Sequence, residues 1–368
     1  MALTISATNT ELPGPLNTVF QQTLLRNAQV RAPYFAGTVA ATLNRQSGSH
    51  IASWRRIENL TTQTTVLAGG AATGELQGEA SYMQGRSAAA LSVTPVAATM
   101  NKYGNFVVLN EEVNFYNFPE QFDKILQVIG INAGQSLNVL QRNIGEDNAT
   151  FIRPAGAASD GAVSSKITLA TVRNAIVTLD KNSAMTFTPM TTGSTNINTT
   201  PILPAFWALC HPDVAVDVVD ITGFVSVERY AGQIMTVMGE FGTLSVAGKA
   251  CRFISSEDAG VDVGTGASGA ASNDLYGTSD NTDLYTTLIY GMDAIGSVGL
   301  GTQYTDGVFR AGDALGPVDV IVKTPQGTGT SDPFNEITTV AWKAFHTGAI
   351  LNANWVRAIR SGATDITN

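Results

Sequence analysis

Charge is what this sequence is short of. Only 14% of its 368 residues are Asp, Glu, Lys or Arg, against roughly 25% in a typical soluble domain. Gly, Ala, Thr, Asn and Ser fill the difference. A free monomer uses surface charge to stay apart from its neighbours, whereas Lys and Glu are depleted where subunits meet. The composition therefore fits a surface mostly covered by other subunits, and it fits equally a secreted, Thr/Asn-rich β protein.

Histidine is scarcer still. His50, His211 and His346 are the whole supply and lie far apart, which leaves little for a metal site or a Ser-His-Asp triad. Cys210 and Cys251 show no Cys-x-x-Cys spacing and allow at most one disulfide. Met1–Thr10 has neither a basic n-region nor an apolar run, so no export signal is expected and the cysteines read as reduced, buried thiols. No stretch approaches the roughly 18 apolar residues that span a bilayer, so no membrane partner is expected.

The motifs that resemble chemistry fail on context. Cys210 and His211 are adjacent, and neighbours on a strand point to opposite faces. Gly264-Thr265-Gly266-Ala267-Ser268-Gly269 has dinucleotide-fingerprint spacing but leads into Asn273-Asp274, with no helix to cradle a pyrophosphate. Glu111-Glu112 and Glu257-Asp258 are adjacent pairs, which do not face each other as an acid/base couple must. No catalytic, metal or cofactor site is expected, and the chain does not read as an enzyme.

Net charge is −9, which argues against a dedicated nucleic-acid binder. The charge is unevenly placed. Up to Ile57, Arg26, Arg31, Arg45, Arg55 and Arg56 face Glu11 alone, while acids dominate from Glu257 to Glu336. Such a chain either shows different faces to two environments or simply solvates both surfaces.

Residues 1–45 read as an arm, with turn formers at Pro13-Gly14-Pro15; order there would come from packing on a neighbour. Ser53–Ile57 reads as a strand that Thr61–Leu67 continues, and Leu91–Val96 and Phe106–Leu109 as returning strands. Between them lies a Gly/Ala-rich stretch with Gly69, Gly70, Gly74, Gly78 and Gly85, so the pattern is a long hairpin with an adaptable tip. Phe122, Ile125, Leu126, Ile129, Ala133, Leu137 and Leu140 follow helical spacing. They predict a helix over 118–142, capped near Asn117 and about 37 Å long. A second helix is expected at Leu169–Leu179 with Thr168 as cap. Pro204–Cys210 reads as a strand buried on both faces, followed by a helix at Val214–Val219. Gly260–Asp283 reads as loop, Leu288–Tyr290 and Val318–Val322 as strands. Thr339–Phe345 and Ala349–Leu351 read as strands flanking a tight turn at His346-Thr347-Gly348. Helices and strands alternate without βαβ regularity, so the class is α+β.

The order of these pieces resembles a known family. Trp54-Arg55-Arg56-Ile57 followed by Thr64-Thr65-Val66-Leu67 is similar to the first limb of the E-loop in phage major capsid proteins of the Schitoviridae (N4-like) type. The run from Ala98 to Val113 (ATMNKYGNFVVLNEEV) resembles the block in which that loop returns toward the spine helix. His211-Pro212-Asp213-Val214-Ala215-Val216-Asp217 resembles its "HPDV…D" turn, and Glu228-Arg229-Tyr230 with Met238-Gly239-Glu240-Phe241-Gly242 its "KY…GEIG" pieces. Arg229 and Phe241 depart conservatively. Val340-Ala341-Trp342-Lys343-Ala344 is similar to the closing strand, and the stretch Ala71–Ala90 is longer than in the family.

The resemblance implies an HK97-like fold: an N-terminal arm (1–45), an E-loop (46–104), a peripheral domain (105–165 and 331–368) with the spine helix at 118–142, and an axial domain (166–330). It also implies pentamers and hexamers closing into an icosahedral phage head around double-stranded DNA, with portal, scaffolding and decoration proteins as partners. Arg55, Arg56 and the five loop glycines would then serve assembly, and Arg26, Arg31 and Arg45 would form a DNA-facing arm. Some capsids of this fold are crosslinked through an E-loop lysine. Residues 46–100 contain no Lys, so no such bond is expected. An encapsulin-like compartment shell, or in a different class a surface-layer or adhesin-type β protein, are the alternatives.

Overall fold

The computed structural model describes residues 33–41, 51–57, 93–110, 121–187, 202–229, 239–268, 281–299, 304–305, 308–309, 318–323, 334 and 336–364. After a 3-10 turn at Pro33–Phe35 come strands β1 (Val39–Ala41), β2 (Ile51–Ile57), β3 (Val93–Thr99) and β4 (Asn101–Asn110). The long helix α1 (Gln121–Asp147) leads to β5 (Thr150–Ile152), helix α2 (Leu169–Lys181), β6 (Ala205–Cys210) and helix α3 (Pro212–Val219). Then follow β7 (Phe224–Ser226), β8 (Glu240–Val246), β9 (Lys249–Ser255), β10 (Val261–Asp262) and β11 (Leu284–Tyr290). The last strands are β12 (Ile295–Gly299), β13 (Tyr304–Thr305), β14 (Val308–Phe309), β15 (Val318–Lys323), β16 (Ile337–Ile350) and β17 (Val356–Ser361).

Two sheets organise these elements. A five-stranded sheet runs β1-β12-β16-β15, with β4 along the opposite edge of β16. An eight-stranded sheet runs β5-β17-β11-β6-β9-β8-β7, with β10 on β11. The chain crosses between them at places local composition does not mark. β12 and β15, from the stretch 166–330, pair in the first sheet, while β5 and β17, from 105–165 and 331–368, pair in the second. The expected boundaries therefore run through both sheets.

Helix α1 lays Leu126, Ile129, Ala133 and Leu137 against Val340, Trp342 and Ala344 of β16. Its described part ends five residues beyond the expected Arg142, at Asp147; the expected cap at Asn117 lies outside the described residues. Gly145 lets the helix approach β11, since a Cβ there would sit 2.7 Å from the Leu288 side chain. Helix α2 begins at its expected cap, with Thr168 and Thr171 forming a reciprocal capping box. With α3 it covers one face of the eight-stranded sheet, through Val172, Ile176, Val214 and Val218 on Phe206 and Phe253. The other face packs Trp207, Leu209, Leu288 and Tyr290. Burial on both faces accounts for the unbroken apolar run of β6, every residue of which is buried.

Two expectations are corrected. The tight turn at His346-Thr347-Gly348 does not exist: β16 is one 14-residue strand through these positions. Gly348 serves close approach, for a Cβ there would meet the Gly296 carbonyl at 2.8 Å and Gln141 at 2.9 Å. The end of the arm does not need a neighbour either. Tyr34 N–H donates to Asn138 Oδ1 at 3.0 Å, Phe35 joins the α1 core, and β1 pairs with β12.

Candidate assembly surfaces

Helix α1 covers one face of the five-stranded sheet, and alternation sends Thr339, Ala341, Lys343 and Phe345 to the other. They lie in register with Val108, Phe106, Gly104 and Lys102 of β4. This second face is open and carries exposed apolar side chains alongside Lys102 and Lys343: Phe106 is 64% and Val108 51% exposed, with Ile337 and Phe345 also exposed. Among the described residues none of these four joins a hydrophobic cluster. The sheet is held tight beneath them by Gly104, where a Cβ would lie 2.6 Å from the Trp342 carbonyl. A solvated antiparallel face normally carries polar residues, so this one is suited to being covered.

The second surface is the hairpin of β2 and β3. Their ladder runs from Ile51 opposite Thr99 to Ile57 opposite Val93, and its alternate residues divide the labour. Ala52 and Trp54 face inward and are buried with Leu351 packed beside them. The indole sits on Gly296, where a Cβ would come within 2.9 Å. Arg56 donates from Nη1 to the Leu351 carbonyl at 3.1 Å, fastening the hairpin root to the body. Ile51, Arg55, Ile57 and Val93 face outward and are exposed. Arg55 and Arg56, equivalent in the sequence, thus have different tasks: one presents charge, the other anchors. A cavity of about 800 Å³ separates the root from the loops bearing Met185, Asp293 and Trp355. Gly69, Gly70, Gly74, Gly78 and Gly85, and Arg26, Arg31 and Arg45, lie outside the described residues.

The cysteines and His211 take part in packing and capping. Cys210 and Cys251 are free and buried, as expected; burial pushes the Cys210 thiol up to about 12 and raises Cys251 as well, which suppresses thiolate chemistry. His211 is not on the strand with Cys210 but caps α3, its Nδ1 accepting the Asp213 N–H at 3.3 Å. Burial holds its imidazole below the ordinary range, against the pull of Asp213. Tyr285 donates to Asp213 Oδ2 at 3.0 Å, so the "HPDV" residues shape a helix start. Asp217, from the same block, is buried and accepts from Lys166 and from the Thr364 N–H. No group of metal-ligating side chains occurs among the described residues, and no described helix is long and apolar enough to cross a membrane.

Two arrangements escaped the sequence reading. Glu240 and Arg252 form an ion pair at 2.6 Å with both side chains 1% exposed. Asn138, Arg142 and Glu146 form a polar stripe on α1. The four-residue spacing was the available signal, and the strong apolar row on the same helix obscured it.

No family model matches the chain, and no curated protein matches it. Solved structures do. The capsid of Ralstonia phage GP4 matches with a TM-score of 0.60 at 11% identity, over 91% of this chain and 89% of that one. The cyanophage Pam1 capsid matches at 0.51 and 11% identity over 91% and 93%. The capsid of Helicobacter pylori bacteriophage KHP30 matches at 0.51 and 10% identity over 90% and 91%. The chain has the HK97-like fold of tailed-phage capsid proteins.

Proposed function

We propose that this chain is a phage major capsid protein, a structural and non-enzymatic component of the virion. In this reading, subunits form pentamers and hexamers that close into an icosahedral head around double-stranded DNA, assembled in the host bacterial cytoplasm. The observation that carries it is the row of exposed apolar side chains on the open face of the five-stranded sheet, with Ile51, Ile57 and Val93 exposed on the hairpin, on a fold shared with phage capsids. Each subunit then offers a sheet face to be covered and, in the described part of the hairpin, exposed apolar side chains to cover one. The five-stranded sheet with α1 then acts as the peripheral body, and the eight-stranded sheet with α2 and α3 as the axial one. The five ordered sequence blocks support kinship with the Schitoviridae-type proteins. The loop glycines from Gly69 to Gly85 allow the hairpin tip to fit inequivalent neighbours, and Arg26, Arg31 and Arg45 bring positive charge to packaged DNA without reading its sequence. Portal, scaffolding and decoration proteins are the further partners.

Phe106→Asp tests the surface. The side chain is exposed, so the subunit should lose no more than about 0.5 kcal/mol of stability. Its assembly, followed by sedimentation velocity, should fail because a desolvated carboxylate replaces the apolar contact. Normal shells from this variant would show that the face stays open. Wild-type shells boiled in denaturant should run as a single monomer band, since residues 46–100 offer no lysine; a ladder would contradict that.

A further inference from the structure

Asn138, Arg142 and Glu146, four residues apart, lie on one side of α1, and all three hold the same short turn. Asn138 Nδ2 donates to Asp258 Oδ2 at 2.7 Å. Arg142 Nη1 donates to the Asp258 carbonyl at 2.6 Å, and Glu146 Oε1 accepts the Gly260 N–H at 3.3 Å. That turn joins β9 to β10 and so belongs to the eight-stranded sheet, whereas α1 carries the five-stranded one. The fit is close: a Cβ on Gly260 would lie 2.2 Å from the Glu146 carboxylate.

Glu146 is buried at 9% exposure, and the cations around it are shared. Arg142 Nε stands 3.7 Å from it while also donating to Asn143 and the Asp258 carbonyl. Arg360 of β17 is held by Asp160 at 2.5 Å and Asp262 at 3.1 Å. Asp258 and Asp262 bring negative charge from the turn, and Tyr34 faces Glu146 from the 3-10 turn. Asn138 is neutral. The carboxylate is therefore desolvated with incomplete compensation.

We propose that this turn is an acid-tightened latch between the two sheets, closed more firmly when Glu146 takes up a proton and loosened when it ionises. The neutral carboxyl keeps its carbonyl oxygen for the Gly260 N–H and sheds the cost of a buried charge. Burial raises the Glu146 carboxyl from its ordinary 4.5 to about 7, Arg142 and the Gly260 N–H opposing the rise and Asp262 adding to it. A raised value means that the closed latch binds the proton better than the open one. Its stabilisation is complete below the ordinary value and is lost as pH climbs through 7. The latch belongs to the subunit itself and does not depend on the shell assignment.

Hydrogen–deuterium exchange on the full chain tests it, with rates corrected for intrinsic pH dependence. Opening at the Gly260 and Val261 amides should be about thirtyfold more frequent at pH 8.5 than at pH 5.5. Glu146→Gln should flatten the profile, and Asp262→Asn should move its midpoint to lower pH. A flat wild-type profile, or a wild-type profile retained in Glu146→Gln, would overturn the latch. If Glu146→Gln does not fold, an unmoved midpoint in Asp262→Asn overturns it equally.

Discussion

Replacing Trp342 by alanine should lower the unfolding free energy by about 3–5 kcal/mol. The indole is 3% exposed at the centre of β16, between the apolar row of α1 and its own sheet. Its Nε1 also donates to Asn132 Oδ1 at 3.1 Å, so truncation both opens a cavity and deprives a helix residue of a donor. Trp342→Phe keeps most of the buried area and should recover all but the hydrogen bond, worth about 1 kcal/mol. Urea unfolding followed by circular dichroism measures both. A loss below about 1 kcal/mol for Trp342→Ala would mean that β16 is not core.

Arg252→Met should cost a similar amount, about 3–5 kcal/mol, for a different reason. Arg252 and Glu240 are both withdrawn from water, and removing the guanidinium leaves a buried carboxylate without its cation. Replacing both, as Arg252→Met with Glu240→Leu, should recover most of the loss, because the desolvation cost of both ions disappears with them. The same unfolding experiment, run as a double-mutant cycle, gives the coupling. A double variant no better than Arg252→Met would show that the pair specifies the β8–β9 register rather than merely balancing charge.

What was legible in the sequence was local. The apolar row from Phe122 to Leu140 foretold α1, Thr168 foretold a cap, and the unbroken run in β6 foretold burial on both faces. Each depends on neighbours within a few residues. What was hidden depends on distant partners. Nothing near Val356–Ser361 says that β17 will pair with β11 and β5, and nothing near Ile295 says that β12 will pair with β16. Gly348 reads locally as part of a turn, yet it lies where the Gly296 carbonyl and the Gln141 side chain approach too closely for a Cβ. The candidate surfaces divide in the same way. Arg55 and Arg56 are equivalent in the sequence, but the bond to the Leu351 carbonyl distinguishes the anchor from the exposed charge. The sheet face around Phe106 became visible only once β4 and β16 were in register.

The most direct test of the shell assignment is to express the chain alone and image it by negative-stain electron microscopy. A capsid subunit should give closed particles or rings of five and six subunits. Fibres or a flat lattice would contradict the assignment and favour a surface-layer protein instead.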